Sequence, residues 1–84
     1  MEDSEIIIYK FPGGMNVENY GIVSELFIYI DQTIVKGQKL AICMSGDFEM
    51  EIIAKENGIV MELLVKKNQI VYQNDNMWKV KCII

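Results

Sequence analysis

The sequence predicts an all-β fold, a sandwich or flattened barrel made of two similar halves, and three observations carry that prediction. Isoleucine and valine number 14 and 7 of the 84 residues, while alanine occurs only at Ala41 and Ala54. Side chains branched at Cβ favour strands, and the strongest helix former is nearly missing. The local pattern has a period of two: Leu26, Ile28 and Ile30 alternate with Phe27 and Tyr29, and Met50 and Ile52 alternate with Glu49 and Glu51. Successive residues of a strand point to opposite faces, so this spacing is that of a strand. Finally, the chain repeats itself at a shift of 37 positions.

Turn residues divide the chain into short runs. They fall at Pro12-Gly13-Gly14, Gly21, Asp31-Gln32, Lys36-Gly37, Ser45-Gly46-Asp47, Glu56-Asn57-Gly58, Asn68-Gln69 and Gln73-Asn74-Asp75-Asn76. Short strands at such spacing read as a sandwich or small barrel. No stretch carries an apolar stripe of helical period.

The repeat sets the organisation. Gly21-Ile22-Val23-Ser24-Glu25-Leu26 falls on Gly58-Ile59-Val60-Met61-Glu62-Leu63, and only the fourth position differs. Without a gap, Ile28 then meets Val65, Asp31 meets Asn68, Gln32 meets Gln69, Ile34 meets Val71, Gly37 meets Asn74, Leu40 meets Met77 and Cys43 meets Val80. Gly, Asn and Asp tolerate positive φ better than other residues, so the copies agree on turn chemistry as well as on apolar pattern. Residues 1–84 are expected to form one domain with halves at about 21–44 and 58–81. Each half has an apolar face that it cannot bury alone. Packed together they predict a core of Val23, Leu26, Ile28, Ile34, Leu40, Cys43, Val60, Leu63, Val65, Val71, Met77 and Val80. Each larger aliphatic group buried there contributes about 1.5–3 kcal/mol against chain entropy. Trp78 aligns with Ala41 and is expected at a half-buried core edge.

Composition excludes several functions. Histidine is absent, which removes the commonest general base and metal ligand. Arginine is absent too, and the net charge is −4, so a partner rich in phosphate is not expected. A small hydrolase lacks its usual residues here. The longest fully apolar run, Leu26 to Ile30, is too short to cross a bilayer as a helix. The start Met1-Glu2-Asp3-Ser4-Glu5 is acidic and does not read as a secretory signal, so a cytoplasmic location is expected. Cys43 and Cys82 are expected as reduced, buried thiols, a disulfide suiting that compartment poorly.

Some motifs admit both a structural and a functional reading. Ser45-Gly46-Asp47 is a good turn by its own chemistry. The same tip could be a recognition loop with Phe48 as its exposed anchor. The sequence leaves open whether Phe48 is exposed or packed. Asp47, Glu49 and Glu51 alternate and are expected on one strand face, and residues 43–54 hold three acids before the first base, Lys55. A hard cation or a basic partner would suit such acids, although a solvated, aggregation-resisting face explains them as well. Pro12-Gly13-Gly14 lacks the residues of a phosphate loop. Lys66, Lys67, Lys79 and Lys81 read as dispersed, solvated charges.

The stretch from Gly21 to Val80 resembles a biotinyl/lipoyl attachment domain, the swinging-arm carrier of biotin-dependent carboxylases and 2-oxo acid dehydrogenases. The half-motif of that family is a glycine and a hydrophobic pair, then valine, Gly-Asp, valine, glycine and leucine at fixed spacing. Here it reads Gly21-Ile22-Val23, Ile28, Asp31-Gln32, Ile34, Gly37 and Leu40. The second half reads Gly58-Ile59-Val60, Val65, Asn68-Gln69, Val71, Asn74 and Met77. Ile52-Ile53-Ala54-Lys55-Glu56-Asn57-Gly58-Ile59-Val60 is similar to the family's segment before its second half, with Lys55 where proline is common. Ile8, Phe11 and Pro12 match its first strand. The resemblance implies a barrel-sandwich hybrid, a flattened eight-stranded barrel of two four-stranded antiparallel sheets with pseudo-twofold symmetry.

The family presents a modifiable lysine on the hairpin that joins its halves. Counting from Ala54, Gly58 and Leu40 puts that position at Asp47, and no lysine lies between Lys39 and Lys55. Biotin and lipoate are attached through an amide to a lysine amine, which an aspartate does not provide. The resemblance therefore implies a non-enzymatic attachment-like domain with no cofactor. Its expected role is a protein-binding scaffold or regulator that meets a carboxylase, dehydrogenase or ligase through Ser45, Gly46, Asp47 and Phe48. Neither a nucleic acid nor a membrane is expected as partner. The alternative is a carrier subunit of a biotin-dependent carboxylase, or a lipoyl carrier, modified at another residue. A third reading is a module of an efflux-pump adaptor, where the same fold has no cofactor.

Overall fold

A computed structural model describes residues 5–13 and 19–83. The acidic start, Met1 to Ser4, and Gly14 of the first turn lie outside the described residues. Eight strands follow one another: β1 (Ile6–Lys10), β2 (Tyr20–Leu26), β3 (Thr33–Ile34), β4 (Lys39–Ser45), β5 (Phe48–Ile53), β6 (Gly58–Leu63), β7 (Ile70–Tyr72) and β8 (Asn76–Cys82). They form two four-stranded sheets, ordered β1-β8-β6-β3 and β5-β4-β2-β7, in which every pairing is antiparallel. This is the all-β arrangement the sequence predicts. Among the described residues no helix is long and apolar enough to cross a membrane.

The repeat is written into the pairing. In β2–β4, Val23 faces Cys43 and Leu26 faces Ala41; in β6–β8, Val60 faces Val80 and Leu63 faces Trp78. Both ladders slip at the same place, between Val23 and Glu25 and between Val60 and Glu62. The extra residue of each bulge is Ser24 or Met61, which is the one mismatch in the leading segment of the repeat. A bulged residue is not held by the ladder, so its identity is less constrained. Gly21 faces Val71, as Gly58 faces Ile34.

The crossings between sheets are duplicated as well. The Asp31 N–H donates to Val60 O at 2.7 Å, and the Asn68 N–H donates to Val23 O at 2.6 Å. Asp31 and Asn68 take φ of 74° and 73°, the left-handed conformation anticipated from their residue types. Beside them, the side-chain oxygens of Gln32 and Gln69 accept from the N–H of Tyr29 and Lys66 at 3.0 and 3.1 Å.

β1 is also part of the symmetry, although at a different shift. Tyr9 faces Trp78 while Ile52 faces Ala41, so β1 maps onto β5 at 43 positions and not 37. The six additional residues lie in the connection from β1 to β2.

Between the sheets, the core contains Val23, Ile28, Ile34, Leu40, Cys43, Val60, Val65, Val71, Met77 and Val80, as expected; Leu26 and Leu63 are only partly buried. The core also includes Tyr9, Phe11, Ala41, Ala54 and Trp78. Trp78 is fully buried, not half-buried: its ring stacks on Tyr9 with centroids 5.6 Å apart. The small Ala41 occupies the equivalent position in the other half, so the interior is asymmetric at this one point. Neither cysteine is in a disulfide, and they lie in different sheets; Cys43 is buried as expected, whereas Cys82, at the end of β8, is only partly buried. Burial pushes the Cys43 thiol up to about 11, which keeps it protonated at neutral pH.

Candidate functional site

The tip of the β4–β5 hairpin is built by strict cross-strand register. Cys43 faces Met50, Met44 faces Glu49 and Ser45 faces Phe48, which leaves a two-residue loop of Gly46 and Asp47. Gly46 has φ of 60°, while Asp47 is not in the positive-φ region. Glycine first and an ordinary residue second is the pattern of a type II′ turn, whose twist matches the flanking strands. The turn follows from Gly46, which has no Cβ to oppose positive φ.

Of the four residues singled out, three are accessible. Gly46 and Asp47 are exposed, and Phe48 is 51% exposed, which answers the question its sequence left open. Ser45 is buried, and its hydroxyl donates to Tyr20 O at 3.0 Å. This hydrogen bond ties the tip to β2 and removes Ser45 from the contact surface. Phe48 lies opposite Ser45 and so shares its core-side face, but at the end of the sheet, where about half of its surface stays open.

The three acids do not share one strand face: Glu49 and Glu51 lie on the outer face of β5, but β5 begins at Phe48 and Asp47 stands apart in the turn. Glu51 pairs with Lys39 at 2.9 Å. Among the described residues no group of three or more acids, cysteines or histidines is placed to hold a metal ion. The acids on this edge strand instead suit the role of keeping an open sheet edge from pairing with other chains. β3 and β7, the opposite edges, are only two and three residues long and offer little to pair with.

A shallow groove of about 240 Å³ opens between the ends of β1 and β5, lined by Tyr9, Lys10, Pro12, Glu51, Ile52, Ile53 and Lys55. The Tyr9 hydroxyl donates to Glu56 Oε2 at 2.8 Å and accepts from the Lys55 N–H at 2.9 Å. Burial and the Glu56 carboxylate hold this phenol well above its ordinary value. Its hydrogen bonds are all internal, so it fastens the Ala54–Gly58 bend to β1.

The tip does not fit a biotinyl or lipoyl group. Attachment of either acid needs an amine nucleophile, and residues 40–54 contain none among their side chains. Lys39 faces Ile53 at the far end of the hairpin, about 20 Å from the turn at 3.3 Å per residue.

The family model described as "Biotin-requiring enzyme", which covers biotin and lipoyl attachment domains, matches residues 10–80. The chain belongs to this family. Its domains are carriers and are not themselves catalytic. Among solved structures, the chain is similar to the lipoyl domain of the 2-oxoglutarate dehydrogenase complex from Azotobacter vinelandii. The TM-score is 0.78 at 16% identity, over 88% of this chain and 94% of that one. It is similar also to part of a single-chain, multi-domain long-chain acyl-CoA carboxylase, with a TM-score of 0.75 at 14% identity, over 96% of this chain and 7% of that one. Urea carboxylase of Kluyveromyces lactis contains a third such region, with a TM-score of 0.67 at 18% identity, over 95% of this chain and 6% of that one. The chain thus corresponds to a small part of each carboxylase and to nearly all of the lipoyl domain. No curated protein sequence matches it. These likenesses agree with the barrel-sandwich hybrid expected from the two motif halves.

Proposed function

We propose that this domain works by docking to protein and not by carrying a covalent arm. The observation that carries this reading is the turn Gly46-Asp47, at the hairpin where the family bears its lysine. A carboxylate there cannot form the amide that holds biotin or lipoate. The scaffold is otherwise intact, down to paired bulges and paired turn hydrogen bonds, so the loss is local to one side chain. A non-enzymatic scaffold or regulator, facing the enzymes that a carrier would visit, fits both facts. Carboxylases and a dehydrogenase complex supply the structurally similar domains, and this supports partners of that kind. Gly46, Asp47 and Phe48 form the contact tip.

The test is binding of the full chain to the biotin carboxylase, the 2-oxo acid dehydrogenase and the biotin or lipoate ligase of the same source. Phe48→Ala is expected to weaken binding by about tenfold or more, the loss of an aromatic anchor, without lowering the melting temperature. Complexes indifferent to Phe48→Ala would refute the tip reading.

The second reading is a carrier modified at another residue, and the high coverage of a lipoyl domain favours it. It requires a covalent arm on a lysine outside residues 40–54, which an intact mass reveals.

A further inference from the structure

We infer that the outer face of the hairpin sheet is a second part of the contact surface, made for a protein patch that is apolar at its centre and rimmed by lysine or arginine. The inference rests on the docking reading of the tip and extends it to a face. Tyr20 faces Tyr72, and Ile22 faces both Ile70 and Met44, so these five side chains are cross-strand neighbours on one surface. Tyr20, Ile22, Ile70 and Tyr72 are 38–58% exposed. The tyrosine rings lie with centroids 6.0 Å apart. Paired tyrosines with neighbouring isoleucines supply the large, rigid contact area typical of binding hot spots.

Pseudo-symmetry provides an internal comparison. The positions equivalent to Tyr20, Ile22, Met44, Ile70 and Tyr72 in the other half hold Asn57, Ile59, Lys81, Thr33 and Val35. The same backbone thus tolerates polar and basic residues there, and folding does not demand the apolar cluster. The cluster reaches the outer face of β5 two residues from the turn, because Met44 faces Glu49, while Phe48 stands on the other side of the same hairpin end.

The charge around the cluster selects the occupant. Glu25 and Glu51 are neutralised by Lys67 and Lys39 at 3.6 and 2.9 Å, whereas Asp47 and Glu49 are in no ion pair among the described residues. Two free carboxylates beside an apolar surface attract a basic rim and speed its encounter. A second copy meeting face to face through this surface would bring like charges into one interface. The outer face of the other sheet carries Ile6, Ile8, Lys79 and Lys81, so head-to-tail self-association is the outcome that must be separated.

Binding of the same three enzymes is measured with full-length wild type, Tyr72→Ala, Ile70→Ser, Glu49→Lys, Phe48→Ala and Ile8→Ser, each checked for an unchanged melting curve. Tyr72→Ala and Ile70→Ser are expected to weaken binding by about tenfold. Glu49→Lys should lower the association rate and flatten its salt dependence. Ile8→Ser, 41% exposed on the outer face of the other sheet, should change neither the affinity nor the association rate. If Phe48→Ala weakens binding and the face variants do not, the face inference fails while the tip reading stands. Loss confined to the face variants refutes the tip reading and keeps the face. No binding by any of the enzymes overturns both. Sedimentation showing self-association abolished by Tyr72→Ala would assign the face to a second copy and overturn the inference.

Discussion

Gly21 and Gly58 are the positions where the duplicated packing is tightest, and alanine at either gives a quantitative test. A Cβ built on Gly58 would lie 2.5 Å from Val80 Cγ1 and 2.6 Å from Lys81 O. One built on Gly21 would lie 2.8 Å from Met44 O and 2.8 Å from Phe11 Cζ. Met44 and Lys81 are themselves repeat mates, so both glycines admit the same neighbouring carbonyl. Overpacking of this kind costs about 1–3 kcal/mol. Alanine returns about 0.5–1 kcal/mol of the chain entropy that glycine loses on folding, which makes the net cost smaller. Gly58→Ala should be the worse of the two, because its contacts are shorter. The sites belong to different sheets and share no partner, so the double variant should lose close to the sum, within about 0.5 kcal/mol. Against a total stability of about 4–13 kcal/mol, estimated from 0.05–0.15 kcal/mol per residue over 84 residues, that loss is large. Urea unfolding followed by the fluorescence of Trp78, the single tryptophan, measures it. A Gly58→Ala variant more stable than wild type would refute the close approach of β6 to β8.

Further predictions concern the core and the tip. The Trp78 Nε1–H is buried with no acceptor among the described residues, which costs about 1–3 kcal/mol. Trp78→Phe should therefore come within about 1 kcal/mol of wild type, whereas Trp78→Ala should lose about 3–5 kcal/mol; equal losses in thermal melts would contradict this account of the site. Cys43 ionises at about 11 when folded against 9.0 for a free thiol, so between these values the unfolded chain binds fewer protons. Stability should fall as pH rises through that window and fall less steeply in Cys43→Val, as urea titrations at stepped pH would reveal. Asp47 is exposed and outside any ion pair among the described residues, so Asp47→Lys should change stability by no more than about 0.5 kcal/mol in either direction. A larger shift in the melting curve would mean that Asp47 holds the turn.

Much of the fold was legible because the repeat constrains both faces of each strand at once. Asp31 and Asn68 disclosed their left-handed turns through residue type, and Val23 and Val60 disclosed the core through spacing. β1 escaped the repeat because six extra residues separate it from β2, which breaks the common shift. Burial of Trp78 was hidden by its partner position, since Ala41 is too small to indicate how much room its mate fills. The tip was legible as a turn from Ser45-Gly46-Asp47, but the fate of Ser45 was not. Only the register that puts Ser45 opposite Phe48 on the core side, and Tyr20 beside it, explains why one polar residue of the loop turns inward. The tyrosine and isoleucine face was missed for a related reason. Tyr20 and Tyr72 are far apart in sequence and become neighbours only through the β2–β7 ladder, although comparison of outward positions between the halves would have marked them.

The central claim is that an acid stands where this family needs an amine. The most direct measurement is the intact mass of the full chain after co-expression with biotin and lipoate ligases in medium supplied with both acids, with a bona fide carrier domain as positive control. The account predicts the mass of the bare polypeptide. A mass increased by one biotinyl or lipoyl group on the wild-type chain would contradict it.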